Sequence, residues 1–255
     1  IMKQNIIIIS MSLYNSFIIV NYNKIKRILC RCIILAVLCN YCIYSQDCDD
    51  GYTYYSELPN NVTNASSCFY NDDLAVISEL ININLLTYES PLDVGNQTWL
   101  NSRLFNWVLT YTPSSSNGIN QKLSQLPANF GQLSELTTLY IEKHDLTELP
   151  ENFTLLSSLV NLYISNNYIT SLPEDFGNLT SLATLDLGYN QLESLPVSIG
   201  GLINIQYLLI FNNQLISLPE IICTLNLDWN GIDISSGWPY FASGGNFLCD
   251  SNLIP

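Results

Sequence analysis

Charge is scarce in this chain, and positive charge almost vanishes after residue 31. Only 12% of the 255 residues are charged, and five of the eight basic ones, Lys3, Lys24, Lys26, Arg27 and Arg31, fall near the start. Arg103, Lys122 and Lys143 remain against 22 acids, all from Asp47 onward, a balance of −19. Such a surface repels phosphate backbones and anionic lipid faces, which argues against nucleic-acid binding and membrane-surface docking. Histidine is reduced to His144, so a Ser-His-Asp triad or a multi-histidine zinc site has one residue to build on. No glycine-rich phosphate loop or nucleophile–base pair is found, so no catalytic residue, metal or cofactor is expected. Asp47, Asp49 and Asp50 read as a solvated acidic loop rather than a Ca²⁺ site. Disorder is excluded from the other side, because 48% of the residues are hydrophobic, enough core for one domain or a small pair.

The apolar run from Cys32 to Tyr44 falls short of the roughly 20 residues a spanning helix needs. Lys24, Lys26, Arg27 and Arg31 precede it, which is the order of a secretory signal. Ser45 is small enough to sit before the cut, although Ile43 is larger than ideal two positions earlier. Residues 1–45 are therefore expected to leave as leader and signal, with no stable membrane insertion afterwards; a retained anchor is the alternative. Cys30, Cys32, Cys39 and Cys42 leave with it, so Cys39-x-x-Cys42 is not read as a metal or redox motif. Cys48, Cys68, Cys223 and Cys249 remain. Four cysteines allow three pairings, and an oxidising compartment favours the local pairs Cys48–Cys68 and Cys223–Cys249.

The middle of the chain repeats itself. Leu126-Pro127, Leu149-Pro150, Leu172-Pro173, Leu195-Pro196 and Leu218-Pro219 recur every 23 residues. His144, Asn167, Asn190 and Asn213 share that step, as do Leu139, Leu162, Leu185, Leu208 and Ile141, Ile164, Leu187, Ile210. One unit reads Leu179-x-x-Leu182-x-x-Leu185-x-Leu187-x-x-Asn190-x-Leu192-x-x-Leu195-Pro196. Leu185 and Leu187, two apart, point to one face of a short strand. No single unit can bury its apolar face, so stacking must create the core. An asparagine side chain both donates and accepts, so a stacked column of them satisfies backbone groups that turn inward. His144 is expected to substitute in that ladder.

The repeat resembles the 23-residue variety of the leucine-rich repeat family, as secreted proteins carry it. The match covers about 120–230, with the variety's Phe-Gly at Phe130-Gly131 and Phe176-Gly177 and as Ile199-Gly200. Phe153-Thr154 and Ile221-Ile222 depart from it, which puts the local turn there in question. The resemblance implies an α/β fold, a right-handed solenoid with a curved parallel sheet on its concave side. Short helical or irregular turns are implied on the convex side, with disulfide caps at both ends. The expected domains are the leader (1–45), an N-terminal cap (46–98), repeats (99–232) and a C-terminal cap (233–255). The N-terminal cap should hold a helix near 72–86, carrying Leu74, Ile77, Leu80, Ile81 and Leu85 at helical spacing. Asn71 or Asp72 would cap that helix, and Asp72-Asp73 would suit its dipole. Leu104-x-x-Trp107-x-Leu109 reads as a first unit with an inserted loop over 110–118. Leu225-x-Leu227-x-x-Asn230-x-Ile232 reads as a short last unit, with Asn230 ending the ladder.

Proteins of this family dock partners on the concave sheet. Strand spacing places Tyr140, Tyr163, Asp186, Tyr189, Tyr207, Phe211 and, from the short last unit, Trp229 on that face. Aromatic side chains dominate interface hot spots, although they also suit strands for their own sake. The expected function is a secreted or cell-surface recognition scaffold, not an enzyme. Its partner would be a protein, with a glycan second. The alternatives are the recognition module of a larger surface protein or enzyme and an intracellular signalling scaffold. Asn61, Asn64, Asn96, Asn152 and Asn178 head glycosylation acceptor triplets.

Overall fold

The computed structural model describes residues 48–248, apart from residues 115, 116, 230, 234, 236 and 238. The expected leader and signal (1–45), Asn230 and Cys249 lie outside the described residues.

A mainly parallel sheet runs the length of this part. Its strands are β2 (Val62–Thr63), β4 (Asn96–Leu100), β5 (Arg103–Val108), β6 (Thr138–Tyr140), β7 (Asn161–Tyr163), β8 (Thr184–Asp186), β9 (Tyr207–Leu209) and β10 (Phe241–Ala242), side by side in that order. Only β4 and β5 pair antiparallel, through a turn in which Asn101 and Ser102 take φ of 50° and 67°. From β5 onward each strand adds in parallel. Trp107, Leu139, Leu162, Leu185, Leu208 and Phe241 form one inward row, and all are buried.

The opposite side of each coil is a 3-10 turn. Five occur, at Phe130–Gln132, Glu151–Leu155, Phe176–Asn178, Val197–Gly201 and Glu220–Thr224. The departures at Phe153-Thr154 and Ile221-Ile222 therefore leave the turn in place. Phe130, Phe153, Phe176, Ile199 and Ile222 plug the core from this side. Neighbouring turns approach closely: a Cβ on Gly177 would lie 1.7 Å from the Ser198 carbonyl oxygen. Gly177→Ala must push two coils apart and is expected to cost about 1–3 kcal/mol. A thermal midpoint unchanged by that substitution would show that the coils can separate freely.

The last coil differs from its expected form. Leu225 does not open a strand. It closes the fifth 3-10 turn, as Leu133, Leu156, Leu179 and Leu202 close the others. It thus belongs to an existing 23-residue column, which explains why the short unit of 17 residues could not be a coil. The next strand is β10, whose Phe241 stands against Leu208. Before it, Ile232 and Pro239 form an isolated bridge. In the first coil the Thr112 and Ile119 N–H groups donate to the Ile119 and Thr110 carbonyls.

The N-terminal end is covered by β1 (Tyr52–Tyr54) paired with β3 (Cys68–Tyr70) and by one helix, α1 (Asn71–Ile83). Cys48 and Cys68 form a disulfide with Cα atoms 5.7 Å apart. Leu74, Val76, Ile77 and Leu80 bury one helix face. Two local expectations fail here and a third proves incomplete. Tyr70 occupies the cap position with no side-chain bond, because the chain enters the helix directly from β3. Leu85 lies past the helix end with φ of 52° and is 86% exposed. Asp73 does more than suit the dipole: it is fully buried and accepts from Arg103 Nε and Nη2, both at 2.9 Å, and from the Leu104 N–H at 2.8 Å. Burial pushes this carboxyl up, opposed by Arg103.

The expected Cys223–Cys249 bridge is also corrected. Cys223 is a free, exposed thiol. It sits on the fifth 3-10 turn, whereas the chain leaving β10 runs back along the previous ladder segment, where the Phe247 N–H donates to the Leu215 carbonyl. Cys249, the expected partner of Cys223, lies outside the described residues.

Candidate functional site

Two features of each coil bear on function: the ladder that holds the strand ends, and the side chains the strands present on the outer sheet face. The ladder residue follows a left-handed position. Lys143, Asn166, Tyr189, Asn212 and Gly245 have φ between 52° and 73°, and His144, Asn167, Asn190, Asn213 and Asn246 come next. Asn190 shows the pattern: its Nδ2 donates to the Ile164 carbonyl of the previous coil and the Leu187 carbonyl of its own, both at 3.1 Å. Its Oδ1 accepts the Ile169 N–H, also at 3.1 Å. Asn167 and Asn213 repeat this.

His144 makes the same two links to its preceding coil with ring nitrogens. Nδ1 accepts the Leu123 N–H at 3.0 Å, and Nε2 meets the Leu109 carbonyl at 2.8 Å. The ring is therefore neutral with its proton on Nε2, and burial lowers its pKa to about 4. Asn246 ends the ladder: Nδ2 donates to Ile210 and Ser243 carbonyls, and Oδ1 accepts the Leu215 N–H. That bond was expected of Asn230. The signal was present, since Phe241-x-x-x-x-Asn246-x-Leu248 repeats Leu208-x-x-x-x-Asn213-x-Leu215, but 33 residues on rather than 23.

On the sheet face, strand register sets the rows. Asn106, Thr138, Asn161, Thr184, Tyr207 and Tyr240 form the first, a mostly hydroxyl and amide row. Val108, Tyr140, Tyr163, Asp186, Leu209 and Ala242 form the second. Two residues further along, Thr110, Glu142, Ser165, Gly188 and Phe211 follow. Tyr140 and Tyr163 stack, with ring centroids 4.3 Å apart and planes 8° from parallel. Burial pushes the Tyr163 phenol up to about 12. Tyr189 packs edge-on against Phe211 and is 53% exposed. Tyr207 donates to Asp233 of the C-terminal loop at 2.9 Å, and this carboxylate pushes its phenol up to about 12.

The structure thus brings together Tyr140, Tyr163, Asp186, Tyr189, Tyr207 and Phe211 on one sheet. Trp229 is not with them. Its segment is no strand, and its ring packs against Phe241 at 4.8 Å, helping to close the end of the core. Tyr240 takes the vacated place, 5.0 Å from Tyr207. Sequence spacing missed it because the loop before β10 breaks the 23-residue count.

Residues 118–187 match the leucine-rich repeat region family, and residues 181–202 the Leucine Rich Repeat family. Residues 118–202 are built on leucine-rich repeats. Among solved structures, a leucine-rich repeat protein of Leptospira interrogans is 34% identical over 44% of this chain, with a TM-score of 0.41. This chain spans 30% of the length of that one. The BIR2 ectodomain of Arabidopsis thaliana is 20% identical, with 71% of this chain and 95% of that one covered and a TM-score of 0.49. A chain of the Arabidopsis thaliana BIR3–SERK2 complex is 18% identical, with 68% and 92% covered and a TM-score of 0.47. Among curated proteins none matches. Among the described residues no group of three or more His, Cys, Asp or Glu side chains is placed to hold a metal, and no helix is long and apolar enough to cross a membrane. The leucine-rich repeats form an α/β solenoid whose N-terminal end is capped by a disulfide, a fold that generally serves as a non-enzymatic interaction scaffold.

Proposed function

We propose that this chain is an extracellular recognition scaffold that docks a protein partner on the sheet face of β5–β10. The observation that carries the reading is the aromatic set on that face, Tyr140, Tyr163, Tyr189, Tyr207, Phe211 and Tyr240, only partly covered by its neighbours. Such side chains supply contact area at little entropic cost, and interface energy concentrates on them. The Cys48–Cys68 bridge supports an oxidising location. A protein is favoured over a glycan because interface energy concentrates on such aromatic side chains. No step of chemistry is assigned, since the single imidazole is locked in the ladder.

The test is an affinity comparison against an identified partner. Tyr189→Ala and Phe211→Ala, on the sheet face, are each expected to weaken binding at least ten-fold. Val197→Ser, on the 3-10 side and 73% exposed, is expected to leave it unchanged. The reverse pattern would move the docking face to the other side of the solenoid.

A further inference from the structure

Among the described residues two carboxylates are more than nine-tenths buried, Asp73 and Asp186. Asp73 has its guanidinium. Asp186 has no cation: the ion pairs among the described residues engage Asp73, Glu135 and Asp145. A buried charge without a counter-charge is costly, and only the Gly188 N–H and the Ser165 hydroxyl, which it shares with Glu142, relieve it. Asp186 Oδ1 accepts the Gly188 N–H at 2.9 Å. Glu142 stands two strands away and adds its own negative charge, with the Ser165 hydroxyl between them donating to Glu142 Oε1 at 3.0 Å. Thr110 donates to Glu142 Oε2 at 3.1 Å.

Aromatic side chains stand on the strands beside this carboxylate. Tyr163 stands in register with Asp186 on the neighbouring strand. Tyr140 covers one face of its ring, so the other looks along the sheet toward Asp186. On the far side the Phe211 ring lies across Gly188, where a Cβ would come within 2.6 Å of Cζ. Glycine at 188 leaves the room that this ring occupies. An open aromatic face next to an unpaired carboxylate attracts a cation by both the ring quadrupole and the charge.

We propose that this part of the sheet face receives a guanidinium or ammonium side chain of a basic polypeptide partner, seated on the Tyr163 ring and held by Asp186 and Glu142. The inference rests on the docking face proposed above and names the chemistry of its partner. Charge complementarity favours that occupant. The chain from residue 46 carries −19, which steers a basic partner inward and repels an acidic one. A planar guanidinium suits the slot better than an ammonium, because it can stack on the ring while it bonds the carboxylates.

A nona-arginine peptide titrated into the full chain at low salt tests this. Saturable one-to-one binding is expected, weakened at least ten-fold by Asp186→Asn and by Tyr163→Leu. The amide keeps the acceptor for Gly188, so Asp186→Asn decides the matter if Tyr163→Leu folds poorly. Glu174→Gln, an exposed acid off the sheet face, is expected to change the affinity less than two-fold. Absence of saturable binding overturns the proposal. So does wild-type affinity in Asp186→Asn, or equal weakening by Glu174→Gln, which would reveal general attraction only. If an identified partner loses affinity with Tyr189→Ala yet binds Asp186→Asn unchanged, the docking face stands and the cation slot falls.

Discussion

Arg103→Met is expected to cost about 3–5 kcal/mol at pH 7, the penalty for leaving one partner of a buried pair unmatched, read from urea unfolding. The guanidinium does three things at once. It forks onto Asp73, donates to Ser134 Oγ at 3.2 Å, and lies 4.3 Å from the centre of the Tyr70 ring. It thereby ties α1 and β3 to β5, the first strand of the parallel stack. Burial already pushes the Asp73 carboxyl up; without Arg103 it must rise further. A carboxyl whose folded pKa lies above its unfolded value loses stability as pH rises, so the deficit should grow from pH 4 to pH 7. Asp73→Asn combined with Arg103→Met removes the stranded charge but keeps an acceptor for the Leu104 N–H. That double variant should therefore be more stable than Arg103→Met alone. A single-variant cost under about 1 kcal/mol, or one flat in pH, would mean the pair only decorates the cap.

The periodic part of the fold was legible because its physics is one-dimensional. Each coil repeats the same inward leucines, so a spacing of 23 carries strand register, core and ladder together, and Leu139 to Leu208 stand in the row their spacing implies. Legibility ended where one coil stopped resembling its neighbours. Leu225 and Leu227 imitate a strand pattern, yet Leu225 serves the 3-10 turn, and the true strand at Phe241 follows a long loop. A local motif and a long-range phase gave different answers, and packing obeyed the phase. The amphipathic stripe announced α1, but the stripe ran on to Leu85, where the backbone had already turned left-handed. Asp73 was read as a helix-dipole residue because its partner, Arg103, is thirty residues away and no local spacing links them.

The candidate face was legible as a set of columns, since alternate strand residues must point outward. What spacing cannot give is which of those residues leave surface for a partner. Tyr140 and Tyr163 spend one face each on the other, and Phe211 spends its breadth on Gly188. Asp186 is buried on a row that spacing assigns to the outer face, so its isolation from any cation shows only in the packed structure.

His144→Asn should flatten the acid limb of the stability curve. In the native protein the neutral ring accepts from Leu123 through Nδ1 and donates to Leu109 through Nε2. Protonation puts a second N–H on Nδ1, facing a backbone N–H, with no acceptor in reach. Burial, aided by the Lys122 charge, therefore lowers the pKa from 6.5 to about 4. The unfolded chain binds the proton near 6.5, so this contribution is whole above that pH and is lost as pH falls towards 4. At roughly 1.4 kcal/mol per pK unit, the loss across that window is about 3 kcal/mol. Asparagine fills the corresponding place in the next three coils, after the same left-handed residue, so the variant should keep neutral-pH stability within about 1 kcal/mol, half the usual cost of a lost buried bond. Asp73 and Asp186 titrate in both proteins and cancel in the difference. Denaturation of the two proteins at pH 7, 6, 5 and 4 should give curves that diverge steadily in favour of the variant. Parallel curves would mean that His144 is charged in the fold or that its ring leaves the ladder without cost.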